Sequence, residues 1–222
     1  MRQLIDLSHE ISDGLVTYPG IPVPVISEAL SREASRERYA PGTEFLIGRI
    51  DMAGNTGTYL DTPFHRYPDG YDLADLDLAT VAGLPLVLVD ATDGIEIGPE
   101  ALDGVTIDGR AVLFHTGWSR HFGTPAYASG HPHLAPASVA VLTAGGARLV
   151  GIDSLNIDPT SDGSRPVHSG LLAAGIPIVE HLANLDALAA ALGDGREATF
   201  YAVPPKVRGF GTMPVRAFAV VE

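Results

Sequence analysis

Cysteine is absent from this chain of 222 residues, and its absence excludes several kinds of chemistry. Without thiols there are no disulfide bonds, no thiolate metal sites and no cysteine nucleophile. The glycine-rich motifs that bind phosphates and dinucleotides are also missing, and residues 117–121 lack the glycine-flanked serine of a nucleophile elbow. Catalytic chemistry would therefore fall to histidine, carboxylate, amide and phenol side chains.

Basic residues are scarce, with 14 Lys and Arg against 27 Asp and Glu and a net charge of -13. That charge disfavours nucleic acid and anionic membrane surfaces as partners. No apolar run approaches the roughly 18 residues of a membrane helix, and the first ten residues contain no signal-peptide core. We expect a cytoplasmic protein that binds a small molecule and neither nucleic acid nor membrane.

The hydrophobic pattern changes along the chain. Strand-like segments separated by Gly/Pro turns dominate up to about residue 83, and strands and helices alternate after it. The apolar runs at 84–90, 111–115, 149–153 and 176–180 are typical of strands covered on both faces. Helices are predicted at 135–144 and at 184–192, the second beginning on Asn184 as a capping residue. The sequence predicts one α/β domain over residues 1–222, with a mixed sheet flanked by helices.

Residues 54–65 hold an unusual density of polar side chains. If this segment is extended, Asn55, Tyr59, Asp61 and His65 project from the same face. Burying four such groups is costly without partners, which favours a functional site. Asp61 and His65 are candidates for metal ligands, or for a base and the carboxylate that orients it. The alternative is a carboxylate that caps a turn and a histidine bonded to the backbone.

Further polar residues end apolar strands, where the sites of open α/β sheets gather. Glu180 ends one strand, and His168 precedes it by twelve residues. A short helical turn at 171–174 could bring the two together as an oriented imidazole, as two metal ligands or as a structural hydrogen bond. Asp153 and Asp158 either support that site or cap a loop.

The segment 55–65 resembles the signature His-x-Gly-Thr-His-x-Asp-x-Pro-x-His of the cyclase family, which includes bacterial kynurenine formamidase and isatin hydrolase. Five signature positions match, and other family landmarks follow in family order over nearly the whole chain. The matching positions are Gly57, Thr58, Asp61, Pro63 and His65, and the landmarks lie at 18–20, 115–118, 151–153, 158–159, 168–180 and 200–217.

This resemblance implies a fold of the swivelling β/β/α type and a homodimer or homotetramer. It implies hydrolysis of an amide or lactone bond in a small substrate, with divalent metal. Carried over by position, His65 is the general acid/base and Tyr18 lines the substrate. Asp61, His168 and Glu180 occupy metal-ligand positions.

The departures from the signature are as informative as the matches. Asn55 and Tyr59 stand in the places of the two motif histidines, and neither is a good zinc ligand. The first metal site should therefore be lost or weakened, while Asp61, His168 and Glu180 could still hold one ion, zinc or manganese. Without metal, Tyr59 could donate a hydrogen bond to a developing oxyanion, assisted by Asn55.

Three functions remain open at this point. The leading hypothesis is a small-molecule hydrolase that uses His65. The second is a metal-independent cyclase, dehydratase or isomerase of a small carbonyl metabolite, because water without a metal is a weak nucleophile. The third is a non-catalytic binding protein on the same scaffold.

Overall fold

Alternating apolar residues in the middle of the chain form the centre of a nine-stranded sheet. The computed structural model describes residues 2–193 and 195–222. Successive residues of a strand point to opposite faces, so Leu113 packs into one hydrophobic core while Val112 and Phe114 pack into the other. The strands are β1 (Gln3–Asp6), β2 (Val25–Leu30), β3 (Ile47–Asp51), β4 (Tyr59–Asp61), β5 (Ala82–Asp90), β6 (Glu96–Ile97), β7 (Ala111–His115), β8 (His133–Leu134), β9 (Leu149–Ile152), β10 (Ile178–Glu180), β11 (Ala198–Tyr201), β12 (Thr212–Pro214) and β13 (Phe218–Val221).

The strand order of the large sheet is β1-β13-β11-β5-β7-β9-β10-β4-β12. The central strands β5, β7, β9 and β10 run parallel to one another, and the other pairs of the sheet, including β11 with β5 and β10 with β4, are antiparallel. The helices are α1 (Arg32–Ser35), α2 (Ala137–Ala144), α3 (Pro166–Ala173) and α4 (Leu185–Leu192). Leucines of α4 pack into one core, whereas those of α2 and α3 pack into the other. The mixed sheet flanked by helices confirms the predicted α/β class.

The predicted elements are largely present, with shifted ends. The strand predicted at 149–153 is Leu149–Ile152, and the helix predicted at 135–144 is Ala137–Ala144. Asn184 is the N-cap residue of α4, as predicted, but its side chain makes no capping hydrogen bond. Asn184 adopts a left-handed backbone conformation, and its amide donates to the carbonyl of Asp6 instead. Within the described ranges, no helix is long and apolar enough to span a membrane.

A two-stranded hairpin of β2 and β3 stands apart from the large sheet. Its apolar side chains are largely exposed, since Val25, Ile26, Ile47 and Ile50 retain between 45% and 54% of their accessible surface. Apolar patches of this kind are typical of interaction surfaces.

Candidate active site

The register between β4 and β10 places the first two site residues side by side. The strands are antiparallel, and Tyr59 lies directly opposite Glu180. Regular strand structure covers only Tyr59–Asp61, so the prediction that one extended face carries Asn55, Tyr59, Asp61 and His65 is wrong in its geometry. The chain turns before β4 and enters a 3-10 helix after it, at Pro63–His65. These turns still bring Asn55 and His65 to the cavity that Tyr59 lines.

Gly57 makes the turn before β4 sharp enough for this arrangement. Its φ angle of 63° lies in the left-handed region, where glycine has no steric penalty. Its N–H donates to Thr17 Oγ1 at 2.8 Å, and a Cβ at this position would collide with Ile11. The glycine of the signature is therefore required by the backbone conformation here.

His168 is held near the beginning of α3 by the carboxylate of Asp158. One oxygen of Asp158 accepts from Val167 N, and the other accepts from His168 N and lies 2.7 Å from His168 Nδ1. This bond turns His168 Nε2 toward Glu180 Oε1 at 3.5 Å and Asp61 Oδ2 at 3.7 Å. Asp158 thus supports the site, the first of the two roles considered for it, because its carboxylate accepts N–H groups at the beginning of α3 and orients the imidazole.

Thr212 on β12 links Asp61 to His65. Its hydroxyl forms a short hydrogen bond to Asp61 Oδ1 and lies 2.7 Å from His65 Nδ1. A hydroxyl has one proton, and an ionised carboxylate can only accept, so that proton goes to Asp61. His65 Nδ1–H must then donate to the threonine oxygen, which leaves Nε2 as a lone-pair acceptor on a side chain that is 36% exposed. This tautomer is the one that a general base requires.

Loop packing brings the Thr212 region close to His65. A Cβ on Gly211 would collide with the backbone nitrogen of His65, so only glycine permits this approach. The Gly211 carbonyl also accepts from Thr62 N at 2.7 Å. No sequence pattern near residue 212 indicates these contacts, because they join segments that are about 150 residues apart.

Tyr59 lies on the other side of Glu180 and begins a chain of neutral hydrogen bonds. Its hydroxyl donates to Glu180 Oε2 at 2.6 Å, and His181 Nε2 lies 3.2 Å from the same phenol oxygen. Tyr127 contacts His181 Nδ1 at 2.9 Å. Since the phenol proton goes to Glu180, His181 donates through Nε2 and accepts the Tyr127 proton at Nδ1. The geometry therefore favours a positioning role for Tyr59 over the predicted contact with an oxyanion.

Burial keeps this chain uncharged. Desolvation raises the pKa of Tyr59 well above its usual value, and the charges of Glu180 and Asp61 raise it further. Desolvation also raises the pKa of Tyr127, and it lowers the pKa of His181 to about 4. A phenol that keeps its proton is a poor metal ligand, which supports the prediction that the first metal site of the family is lost or weakened here.

The side of Glu180 that faces His168 is strongly charged by comparison. Asp61, Asp158 and Glu180 are each at most 1% exposed. Burial opposes the charged form of His168, but the charge of Glu180 and the hydrogen bond to Asp158 raise its pKa well above the usual value. Burial likewise opposes ionisation of Glu180, but the charge of His168 lowers its pKa overall. Three buried carboxylates thus face one imidazole, and even a protonated histidine leaves negative charge unbalanced.

A single divalent ion fits this donor set. One nitrogen of His168 and one oxygen each from Asp61 and Glu180 lie within 4.8 Å of one another. Asp61 Oδ2 is buried and has no hydrogen-bond partner among the described residues. A buried carboxylate oxygen without a partner is costly and commonly marks a site for an ion. His168 also has the carboxylate partner on its second nitrogen that metal-ligating histidines usually have.

These groups open onto a cavity of about 310 Å³. Tyr18 and Asn55 line it as predicted, whereas Asn156 and two arginines were not predicted. The lining residues are Tyr18, Ile21, Asn55, Tyr59, His65, Arg66, Asn156, Arg165, His168 and Glu180. The fold and the site together define an α/β scaffold whose cavity brings two histidines to a buried group of residues that could hold a metal ion.

Comparison with known proteins identifies the particular scaffold. The family model described as "Putative cyclase" matches residues 5–159, and the chain belongs to this cyclase family. It is 30% identical to a kynurenine formamidase of Bacillus cereus over 214 residues, which cover 96% of this chain and 95% of that protein. A kynurenine formamidase of Bacillus mycoides is 30% identical over 181 residues, which cover 81% of this chain and 82% of that protein.

Solved structures share the fold at lower identity. Isatin hydrolase A from Labrenzia aggregata superimposes with a TM-score of 0.80 at 23% identity, covering 99% of this chain and 94% of that one. A potential metal-dependent hydrolase with cyclase activity gives a TM-score of 0.78 at 24% identity, and the match covers 100% of this chain and 99% of that one. The relatives place this chain among the hydrolases of the cyclase family.

Proposed function

We propose that this protein hydrolyses the amide or lactone-type bond of a small substrate, with His65 as general acid and base. The observation that carries the proposal is the Asp61–Thr212–His65 chain, which fixes the tautomer of His65 and leaves Nε2 free at the cavity. Relatives named kynurenine formamidase support an amide substrate.

Each group has a definite task in this mechanism. His65 Nε2 takes a proton from the attacking water as the new C–O bond forms at the carbonyl carbon. It then gives that proton to the leaving nitrogen or oxygen as the C–N or C–O bond breaks. Asp61, His168 and Glu180 would hold one divalent ion, Zn²⁺ or Mn²⁺, which when bound supplies a Lewis acid and lowers the pKa of water. Asp158 and Tyr59 keep His168 and Glu180 in position.

Replacement of His65 by Ala tests this function directly. General acid–base catalysis contributes about 10²- to 10⁴-fold, so we expect a loss of at least about 100-fold in kcat/KM for N-formyl arylamines, lactams or lactones. The thermal midpoint should change little, because His65 is partly exposed. His121→Ala is a matched control, since that ring packs on Trp118 outside the cavity. Undiminished turnover in His65→Ala would remove His65 from the mechanism.

A second candidate is a cyclisation, dehydration or isomerisation that needs only an acid and a base. His65 and His168 support it, because their rings lie 6.3 Å apart and both line the cavity. In that case turnover of a carbonyl substrate would persist after exhaustive chelation, whereas the proposed hydrolysis would stop. A non-catalytic binding protein would instead return every ligand unchanged.

We also propose that the chain forms a homodimer or homotetramer through the β2–β3 hairpin. Ile26 and Ile50 are paired across the two strands and are 45% and 54% exposed, so one molecule leaves this apolar pair in water. Burying such side chains against a second copy is favourable by about 25 cal/mol per Å². Light scattering on the purified protein should give a molar mass of two or four times the chain mass of 23.2 kDa. A monomer mass at micromolar concentration would contradict this proposal.

A further inference from the structure

Two arginines stand at the candidate active site of a protein that is otherwise rich in acid. Arg66 directly follows His65, and Arg165 precedes His168 by three residues at the beginning of α3. Both line the same cavity as the two histidines. Positive charge is therefore concentrated beside the groups to which the proposed function assigns catalysis.

Neither arginine is neutralised within residues 2–193 and 195–222. Ion pairs of arginine with carboxylates involve Arg36, Arg208 and Arg216 in that part of the chain, but not Arg66 or Arg165. The charge of Arg165 lowers the pKa of Asp162, after the larger effect of hydrogen bonds from Ser164, yet the two side chains make no direct ion pair.

Neutral partners hold both side chains in place. Arg165 Nη1 donates to the Pro159 carbonyl at 2.9 Å, and its Nη2 donates to Tyr18 Oη at 3.3 Å. Arg66 Nε donates to Ser169 Oγ at 3.3 Å, and its guanidinium carbon lies 5.2 Å from the centre of the Tyr67 ring. These contacts restrict the side chains without cancelling their charge. Pre-organised guanidinium groups of this kind bind carboxylates through paired N–H donors.

The backbone at Arg165 is strained in a way that fits a functional position. Its φ of 49° and ψ of 61° lie in the left-handed region, which costs a residue with a Cβ about 1 kcal/mol or more. That conformation begins α3, whose third residue is His168. The same turn therefore sets the positions of one cavity arginine and one buried site histidine.

We propose that Arg66 and Arg165 form a carboxylate subsite, so that the substrate is a small amide or lactone that also carries a carboxylate group. The bond that is cleaved is taken from the proposed function, on which this inference rests. The binding of a carboxylate by the two arginines can be tested separately. The arginines attract the anionic group, and the three buried carboxylates repel it from the cation-binding group. The substrate is thereby oriented with its carbonyl toward His65 and its carboxylate toward the arginines.

Three matched substrates test the subsite in catalysis. They are 3-formamidobenzoate, its methyl ester and formanilide, which share the formamide bond and differ in the negative charge. We expect KM for the acid to be at least 10-fold below that for the ester. Arg66→Gln, at an exposed position that tolerates change, and Arg165→Lys, which keeps the charge but loses the paired donors, should each raise KM for the acid by at least 5-fold. The ratio of KM for the ester to KM for the acid should fall by about the same factor in each variant.

Arg148→Gln is the control, because it removes the same charge from an exposed position that does not line the cavity and lies outside the hairpin, so both KM values should stay unchanged. Equal KM values for acid and ester, or equal effects of the arginine variants on both, would overturn the subsite while leaving the hydrolase function intact.

A binding measurement decides the inference even if none of the three compounds is hydrolysed, a result that would count against the proposed function alone. Calorimetric titration with benzoate should show binding that benzamide does not show. The affinity should fall at least 10-fold in the Arg66→Gln/Arg165→Gln variant. Benzoate that fails to bind, or that binds wild type and variant equally, would refute the subsite.

Discussion

The two oxygens of the Glu180 carboxylate face opposite environments. Oε1 lies 3.5 Å from His168 Nε2 on a side that also contains Asp61 and Asp158. Oε2 accepts the Tyr59 proton on a side that contains neutral hydrogen-bonding rings. We call these the charged side and the neutral side. One side requires a cation for balance, whereas on the other the Tyr59, His181 and Tyr127 side chains bond to one another without added charge.

The difference shows how a metal-site motif can change without loss of its framework. The two signature positions that differ both belong to the neutral side, because the Asn55 side chain is hydrogen-bonded to Tyr59, and Asp61, a matching position, belongs to the charged side. A phenol proton can occupy a carboxylate lone pair that a metal ion would otherwise bind. The bond from Tyr59 therefore keeps Glu180 in place for the charged side.

The largest expected effect comes from neutralising the charged side. Asp61→Asn keeps the size of the side chain but removes an anionic ligand, so the bound divalent ion should fall from about one per chain to below about 0.1. Hydrolysis should fall at least about 100-fold. Mass spectrometry of metal content after dialysis against Zn²⁺ or Mn²⁺ measures the first effect, and steady-state kinetics measure the second.

Asp153→Asn is the matched control for that experiment. Asp153 is also buried and also follows an apolar strand, but it accepts hydrogen bonds from Thr116 and Gly117. Its neutralisation should leave the metal content near one. Metal retained in Asp61→Asn, or no metal in the wild type after supplementation, would show that the charged side is balanced by the His168 proton alone.

A double substitution on the neutral side tests whether the first metal site of the family can be restored. Asn55→His with Tyr59→His restores the two histidines of the family signature, so the metal content should rise from about one toward two per chain. Tyr59→Phe is the control, because it removes the phenol donor without adding a ligand and should leave the content at one. A double variant that still binds only one ion would mean that the neutral side has lost more than its two ligands.

Some parts of this site could be predicted from the sequence and others could not. The sequence predicted that a short helical turn could bring His168 and Glu180 together, and its apolar runs predicted the strands beneath them. Thr212 and His181 gave no signal, because their roles arise from register and from contacts between distant segments. The expected oxyanion role of Tyr59 overlooked the carboxylate that lies directly across the strand pair. The sequence predicts the secondary-structure elements well, but which atom of the site carries each proton depends on tertiary contacts.

The smallest expected effect concerns the protonation of the neutral side. Burial lowers the pKa of His9 and of His181 to about 4, from an ordinary value of 6.5. Both rings contact Phe122, with the His9 ring stacked on it at 3.7 Å between centroids. As pH falls below 6.5, both histidines bind protons in the unfolded chain, whereas in the folded chain they stay neutral until about pH 4. Stability is therefore highest above pH 6.5 and declines through this interval.

Chemical denaturation at pH 7.5, 6.5 and 5.5 measures this decline. Each histidine should contribute a loss of about 1 kcal/mol by pH 5.5, less for His9 because it is not fully buried. His9→Phe keeps the stacked ring and removes the titration, so its stability should fall less steeply than that of the wild type under identical metal-free conditions. Because both proteins share every other titrating group, the difference between their slopes isolates His9. Equal slopes would mean that water reaches His9 and that the neutral side ends at His181.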